Sequence, residues 1–215
     1  MEHVTVKDLV LGSGGVLVSG SEEAPVSHIR LDSRQVEPGD LFVPLLGERV
    51  DSHRFLPQVM DQGAAAVLTS QELTLPEGGA GCAVIRVEDT KKALQKIGSY
   101  LRDRLTLPLV GVTGSVGKTT TREMIAAALS ARFRVYKTPG NSNSQVGVPV
   151  TLSEITENDQ VGVIELGMSE PGEMTVIANI ARVDMAVITN IGITHIGQLG
   201  SQENILREKL HITDG

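Results

Sequence analysis

The segment Val110-Gly111-Val112-Thr113-Gly114-Ser115-Val116-Gly117-Lys118-Thr119-Thr120 carries the strongest chemical signal in the sequence. Glycines let backbone N–H groups turn inward around phosphate oxygens. A helix that starts at the end of such a loop adds a dipole favourable to negative charge. In that setting Lys118 reaches the β and γ phosphates and the Thr119 hydroxyl holds Mg²⁺. The apolar run before the loop and the amphipathic run after it supply the strand–loop–helix context that the motif requires. The general pattern G-x-x-x-x-G-K-[ST] asks for glycine at 112, where this chain has Val112, with Gly111 one place early.

Other polar positions are weaker one by one. Glu165 closes a buried strand pattern, Val-Gly-Val-Ile-Glu, where a carboxylate beside a phosphate loop can hold Mg²⁺. His195 follows a second strand end, Thr189-Asn190-Ile191-Gly192, and Lys209 lies on an amphipathic helix starting near Gln202. Asn141 and Asn143 sit in a Pro139-Gly140 loop whose turn chemistry alone accounts for them. A strand-end Glu is more often a solvated rim residue, and a lone His or Lys more often a surface one. All of them nevertheless fall at strand ends near the phosphate loop, the edge at which open α/β sheets bind ligands. Earlier in the chain, Ser33, Arg34 and His53 lie in two polar loops around Pro38-Gly39-Asp40-Leu41-Phe42-Val43 and could hold an anion. Met60, Met124 and Met174 read as core fillers.

The elements that must position these residues come in two styles. Up to about residue 88, short apolar runs such as Asp40-Leu41-Phe42-Val43, Ala65-Ala66-Val67-Leu68 and Ala83-Val84-Ile85-Arg86-Val87 alternate with turns, with one helix over 55–62 and a loop over 73–81. Asp89-Thr90 then opens a helix carrying Ala93, Leu94, Ile97 and Leu101 on one side. Beyond it the pattern is strand (107–112), glycine loop, helix (119–129), and later strands over 161–166 and 185–189. Buried apolar runs alternating with helices predict a parallel sheet covered on both faces.

Composition narrows the function. Nineteen basic against 26 acidic residues leave a net charge of −7, which disfavours a general nucleic-acid binder. Aromatics are 2% with no Trp, so base-stacking platforms are not expected. The one cysteine, Cys82, excludes an internal disulfide framework and a multi-cysteine zinc site, and fits a reducing cytosol. No secretory leader or bilayer-spanning apolar run is visible, so the reading is a cytoplasmic protein without membrane insertion. No coiled-coil pattern appears, which points to a monomer.

The order Asp32-Ser33-Arg34, Pro38-Gly39-Asp40-Leu41-Phe42-Val43, Leu45-x-Gly47-x-x-x-Asp51-x-His53 and Thr113-Gly114-Ser115-x-Gly117-Lys118-Thr119 resembles the Mur ligases, ATP-dependent amide ligases of peptidoglycan precursor synthesis. Their loop pattern is Thr-Gly-x-x-Gly-Lys-[Ser/Thr], so Val112 is ordinary there. Thr113-Gly114-Ser115, the segment carrying Gly140, Asn141, Asn143, Gly147, Pro149, Thr151 and Leu152, and Ala186-Val187-Ile188-Thr189-Asn190-Ile191-Gly192 with His195 and Gly200-Ser201 point to the branch that adds D-Ala-D-Ala to UDP-MurNAc-tripeptide. The branch that extends UDP-MurNAc-dipeptide is the near alternative. A generic P-loop kinase or NTPase and a non-catalytic UDP-ligand-binding module are the others.

The resemblance implies an acyl-phosphate reaction needing ATP and Mg²⁺. It implies that Thr113, Gly114, Ser115, Val116, Gly117, Lys118, Thr119, Thr120, Asn141 and Asn143 lie on the ATP phosphates. Thr119 and Glu165 would hold one Mg²⁺. His195 and Lys209, the latter as a carbamate, would serve a second. Ser33, Arg34 and His53 would receive the UDP-sugar. Lys118, Glu165, His195 and Lys209 would be the catalytic set. The chain departs from the family at Ser144, where a second Asn is usual, at Ser52, and at Lys209-Leu210-His211 in place of Lys-x-Glu-Ile. The implied fold is α/β: a small amino-terminal UDP-MurNAc-peptide domain over 1–88, then the first part of a mostly parallel P-loop-type central domain over 89–215. On this reading the chain corresponds to the first half of a family member, inactive alone.

Overall fold

The computed structural model describes residues 1, 3–47, 50–72 and 81–215 of the chain. They gather into two compact units, Met1–Ile97 and Gly98–Gly215. The sequence places a boundary at 88, just ahead of a helix; the division by contacts falls inside that helix.

The first unit opens with helix α1 (Val6–Ser13), which the strand-and-turn reading of this region does not include. The Thr5 backbone N–H donates to Asp8 Oδ2 at 2.9 Å, satisfying a group ahead of the first helical turn. There follow β1 (Val16–Ser19), β2 (Ile29–Arg30), β3 (Leu41–Phe42), α2 (Leu56–Asp61), β4 (Ala66–Thr69) and β5 (Ala83–Arg86). The sheet order is β1-β5-β4-β3-β2. β1 is antiparallel to β5 and the other pairs are parallel. Phe42, Val67 and Val84, from three neighbouring strands, pack with Leu56 and Val59 of α2 and with Cys82. The parallel arrangement sends the chain out at one edge after β2, β3 and β4. Asp32-Ser33-Arg34, the loop leading to His53, and Ser70 all start there. The loop expected over 73–81 lies outside the described residues except for Gly81, as do Glu48 and Arg49.

Helix α3 (Thr90–Arg104) runs through the division between units. The second unit continues with β6 (Leu109–Thr113), α4 (Lys118–Ser130), β7 (Val135–Lys137), α5 (Gly147–Ser153), β8 (Val161–Glu165), α6 (Glu173–Ala181), β9 (Met185–Ile188), α7 (Ile196–Leu199) and α8 (Gln202–Leu210). Its sheet is parallel throughout, in the order β7-β8-β6-β9. Alternate residues serve opposite faces. Val110 and Val112 of β6, with Val161 and Val163 of β8, pack with Ala126, Ile125 and Leu129 of α4. Leu109 and Ile164 pack with Val148 and Leu152 of α5, Ile177 of α6 and Ile205 of α8. Burying one such Ile or Leu stabilises by about 1.5–3 kcal/mol. Helices therefore cover both faces, as expected. From β6 the chain crosses to β7 on one side, and β9 lies on the other. The strand order thus reverses beside β6, and the loop after β6 opens into that crevice. Among the described residues no helix is long and apolar enough to cross a membrane.

Candidate functional site

The phosphate loop leaves β6 at Thr113 and enters α4 at Lys118. Gly114 has φ 147°, and a Cβ there would stand 1.9 Å from Thr189 Oγ1, so only glycine fits. Gly117, at φ 84°, caps α4 in the left-handed conformation. The segment after β9 braces the loop. Ser115 N–H donates to Asn190 O and Val116 N–H to Asn190 Oδ1, both at 3.1 Å. Thr189 Oγ1 donates to Val116 O at 2.6 Å, and Gly192 N–H donates to Ser115 Oγ at 2.9 Å. The amides of Ser115 and Val116 thus bond Asn190. The amides of Gly117, Lys118, Thr119 and Thr120 have no intrahelical acceptors, because helix geometry leaves them at the start of α4. Lys118 Nζ is tethered by donation to Gly114 O at 3.0 Å.

Glu165 ends β8 beside the loop and is 2% exposed. Its Oε1 accepts from Asn143 Nδ2 at 2.8 Å. Its Oε2 accepts from Thr119 Oγ1 at 3.0 Å and from Arg122 Nη1 at 3.2 Å. Its own N–H donates to Thr138 Oγ1 at 2.9 Å. A buried carboxylate is tolerated when donors and an opposite charge surround it, as they do here. Arg122 Nη1 also donates to Gly140 O at 2.7 Å, which ties the loop holding Asn141 and Asn143 to α4. Asn141 is exposed on that loop. Sequence reasoning missed Arg122, Thr138 and Asn190. The signal that could have found Arg122 is its position three residues after Thr119, on the same helix face. Met124, expected in the core, is 69% exposed on α4; the buried positions there are Arg122 and Ala126.

Lys209 on α8 is fully buried. Burial and the positive charge of Lys118 pull its pKa down to about 8, against the opposing pull of Glu208. Lys118, Thr119, Asn143, Glu165 and Lys209 thus share one neighbourhood. His195 is exposed in the left-handed conformation at φ 63°, ahead of α7, and Thr120 and Val116 are exposed on the loop and helix start. Among the described residues no group of three or more His, Cys, Asp or Glu is gathered as a metal cluster. The Thr119–Glu165 pair is nonetheless a donor set that fits Mg²⁺. Its 3.0 Å oxygen–oxygen separation is the spacing of adjacent ligands in an octahedron with bonds of ~2.1 Å, and Mg²⁺ commonly takes few protein oxygens plus phosphates and water.

In the first unit, Ser33 is buried at the start of a short 3₁₀ turn. Arg34 is exposed and folds back onto Asp32, with Nη2 2.6 Å from Oδ2; this contact holds the Asp32 carboxyl down at about 2. His53 is buried and held at both ring nitrogens. Nδ1 lies 2.6 Å from Asp51 Oδ1, and Nε2 accepts from the Ser70 N–H at 3.2 Å. An N–H can only donate, so Nε2 is the acceptor and Nδ1 carries the proton. Gln71 Nε2 extends the network to Asp51 Oδ2 at 2.7 Å, and Gln71 also lines a cavity of about 220 Å³ with Thr69, Val84 and Arg86. The His53 ring therefore organises this edge, leaving Asp51, Ser70 and Gln71 to face it.

Two family models match the chain. Residues 25–101 match "Mur ligase family, catalytic domain" and residues 112–215 match "Mur ligase middle domain". The chain belongs to the Mur ligase family. A Bacillus subtilis UDP-N-acetylmuramoyl-tripeptide–D-alanyl-D-alanine ligase is 42% identical over 212 residues, covering 98% of this chain and 46% of the relative. A crystal structure of MurF from Acinetobacter baumannii matches with TM-score 0.87 and 35% identity, over 97% of this chain and 45% of that one. MurF ligase from Thermotoga maritima in complex with ADP matches with TM-score 0.78 and 32% identity, over 87% and 43%. This Mur ligase chain spans about half the length of the curated relatives it matches.

Proposed function

We propose that this chain carries the UDP-substrate and ATP-binding parts of an ATP-dependent ligase that joins D-Ala-D-Ala to UDP-MurNAc-tripeptide, with the first unit receiving the nucleotide sugar and the second the ATP. The observation that carries the reading is the assembly around the phosphate loop, where Lys118, the Thr119–Glu165 pair and the buried Lys209 converge. Similarity to ligases named for this reaction supports the substrate assignment. With a net charge of −7 and small-molecule substrates, we place the protein in the cytoplasm as a monomer that binds no nucleic acid.

The chemistry has two steps. The tripeptide carboxylate attacks the γ-phosphorus of ATP, the bond to the bridging oxygen breaks, and ADP leaves with its electron pair. The D-Ala-D-Ala amine then attacks the acyl phosphate carbon, loses a proton and expels phosphate. Both reactants of the first step are anions, so cations must align them. Lys118 would move from the Gly114 carbonyl to the β and γ phosphates, and the amides at the start of α4 would receive phosphate oxygens. Thr119 and Glu165 would hold Mg²⁺, which when bound supplies charge neutralisation between the phosphates. Asn143 keeps the Glu165 carboxylate aimed, and Asn141 is free to reach the ligand. His195 and a Lys209 carbamate would serve a second Mg²⁺. Ser33, Arg34 and the edge organised by His53 would take the UDP-sugar.

Calorimetric titration with UDP-MurNAc-tripeptide, the dipeptide form, UDP and MgATP tests the reading. Binding of the tripeptide above the dipeptide and UDP is expected. Dipeptide preference would assign the chain to the dipeptide-extending branch, and MgATP binding without any UDP-ligand response would leave a generic NTPase. Lys118→Ala is expected to weaken MgATP binding by about 100-fold or more, from the loss of a charge-assisted contact, with UDP-ligand affinity nearly unchanged. Equal loss of both would end the two-site assignment.

A further inference from the structure

Arg122 has no role in the proposed ligase steps, yet it is a buried charge beside the residues that would carry them. It is 4% exposed on a helix otherwise buried through small and aliphatic residues. It reaches three groups: Glu165 Oε2 at 3.2 Å, Gly140 O at 2.7 Å and Glu123 Oε1 at 2.7 Å. Glu123 is also paired with Lys137. The oxygen that Arg122 touches on Glu165 is the same one that Thr119 addresses, the oxygen on which the metal reading rests.

We infer that Arg122 is a positioning residue that neutralises Glu165 and holds a bare divalent cation off the Thr119–Glu165 pair, so that metal enters only together with a nucleotide's phosphates. This rests on the ATP and Mg²⁺ reading above. The charge around the pair argues for it. Glu165 brings one negative charge, Arg122 already pairs with it, and the Lys118 ammonium stands on the same phosphate loop with Nζ on Gly114 O. Glu123 offsets part of the positive charge, and it is shared with Lys137. A dication arriving alone meets a carboxylate that is already compensated, at short range in a poorly screened interior. A triphosphate supplies the missing negative charge and reverses the balance. The geometry adds a second effect. By bonding Gly140 O and Glu165 at once, Arg122 fixes the 139–143 loop against β8, so Asn143 keeps Oε1 and leaves Oε2 as the metal-facing oxygen.

The test is Mn²⁺ binding to the full chain with and without ADP, read as the loss of the free-ion EPR signal beyond the loss that ADP causes without protein. Wild type is expected to bind Mn²⁺ in the presence of ADP, with affinity for Mn²⁺ alone at least tenfold weaker. Arg122→Gln removes the charge and keeps a polar side chain; it should tighten binding of Mn²⁺ alone by tenfold or more. Arg122→Lys, which keeps the charge, should behave as wild type. The gain should vanish in the Arg122→Gln/Glu165→Gln double variant. Circular dichroism confirms folding, and Arg122→Met replaces the Gln variant if that one does not fold. A folded neutral variant with no gain in Mn²⁺ affinity, or a gain that survives Glu165→Gln, overturns the inference. Failure of wild type to bind Mn²⁺ with ADP would instead overturn the nucleotide reading itself.

Discussion

At the residue scale the site is a set of charges made compatible by burial and pairing. The Glu165 carboxylate accepts from Thr119 and Arg122 of α4 and from Asn143 of the 139–143 loop, and Lys209 is made easier to deprotonate by burial and by Lys118. The second effect has a testable sign. Only the neutral amine attacks CO₂, forming R–NH–COO⁻ and releasing a proton. A lysine at about 8 offers a neutral fraction on the order of a hundredfold larger at pH 7.5 than one near 10.5. Incubation with ¹³C-bicarbonate is therefore expected to give a carbamate resonance that rises from pH 7 toward pH 8.5 and is absent in Lys209→Met. A resonance that persists in that variant would place the carbamate elsewhere. Much of this site was legible: Lys118, Thr119 and Glu165 follow from residue types at strand ends. Arg122 was hidden because a charged residue in a helix reads as solvent-facing. Asn190 was hidden because an Asn after a strand reads as turn chemistry, whereas here its side chain and carbonyl hold the loop.

At the element scale the phosphate loop is defined as much by what it leans on as by its own glycines. Gly114 sits where a Cβ would collide with Thr189 Oγ1, the hydroxyl that fastens Val116 O. Gly114→Ala therefore meets both an unfavourable φ and a clash. It is expected to lower stability by about 1–3 kcal/mol for the backbone alone and to disrupt nucleotide binding, read by urea midpoint and by ADP titration. Adding Thr189→Ala removes the colliding oxygen and should recover part of the stability while leaving the brace on Val116 broken. No recovery would mean that the φ cost dominates. Legibility at this scale tracked periodicity. Continuous apolar strands such as Leu109–Thr113 and Val161–Glu165 announced themselves because parallel strands are buried on both faces. Helix α1 was missed because Val-Leu-Gly-Ser-Gly-Gly-Val-Leu reads as apolar runs and turns. Its cap was nonetheless present as Thr5-x-x-Asp8, and Val6 and Leu9 mark its buried side.

At the scale of the whole molecule, each unit has a core of its own, and Cys82 belongs to the first. Burial pushes its thiol up to about 12. At pH 8 the native thiolate fraction is then on the order of one in ten thousand, against roughly a quarter for an exposed thiol near 8.5. Alkylation of Cys82 by iodoacetamide therefore reports opening of the first unit rather than reaction of the native state. A ligand that binds only the closed unit reduces the open population by a factor 1 + [L]/Kd, roughly a hundredfold at 100 Kd. UDP-MurNAc-tripeptide is expected to slow alkylation by that factor, because its proposed loops leave the sheet whose core contains Cys82. MgATP at the same saturation is expected to leave the rate unchanged, because the phosphate loop is built on the other core. Equal slowing by both ligands would show that the units open as one cooperative body. Slowing by MgATP alone would reverse the assignment of ligands to units.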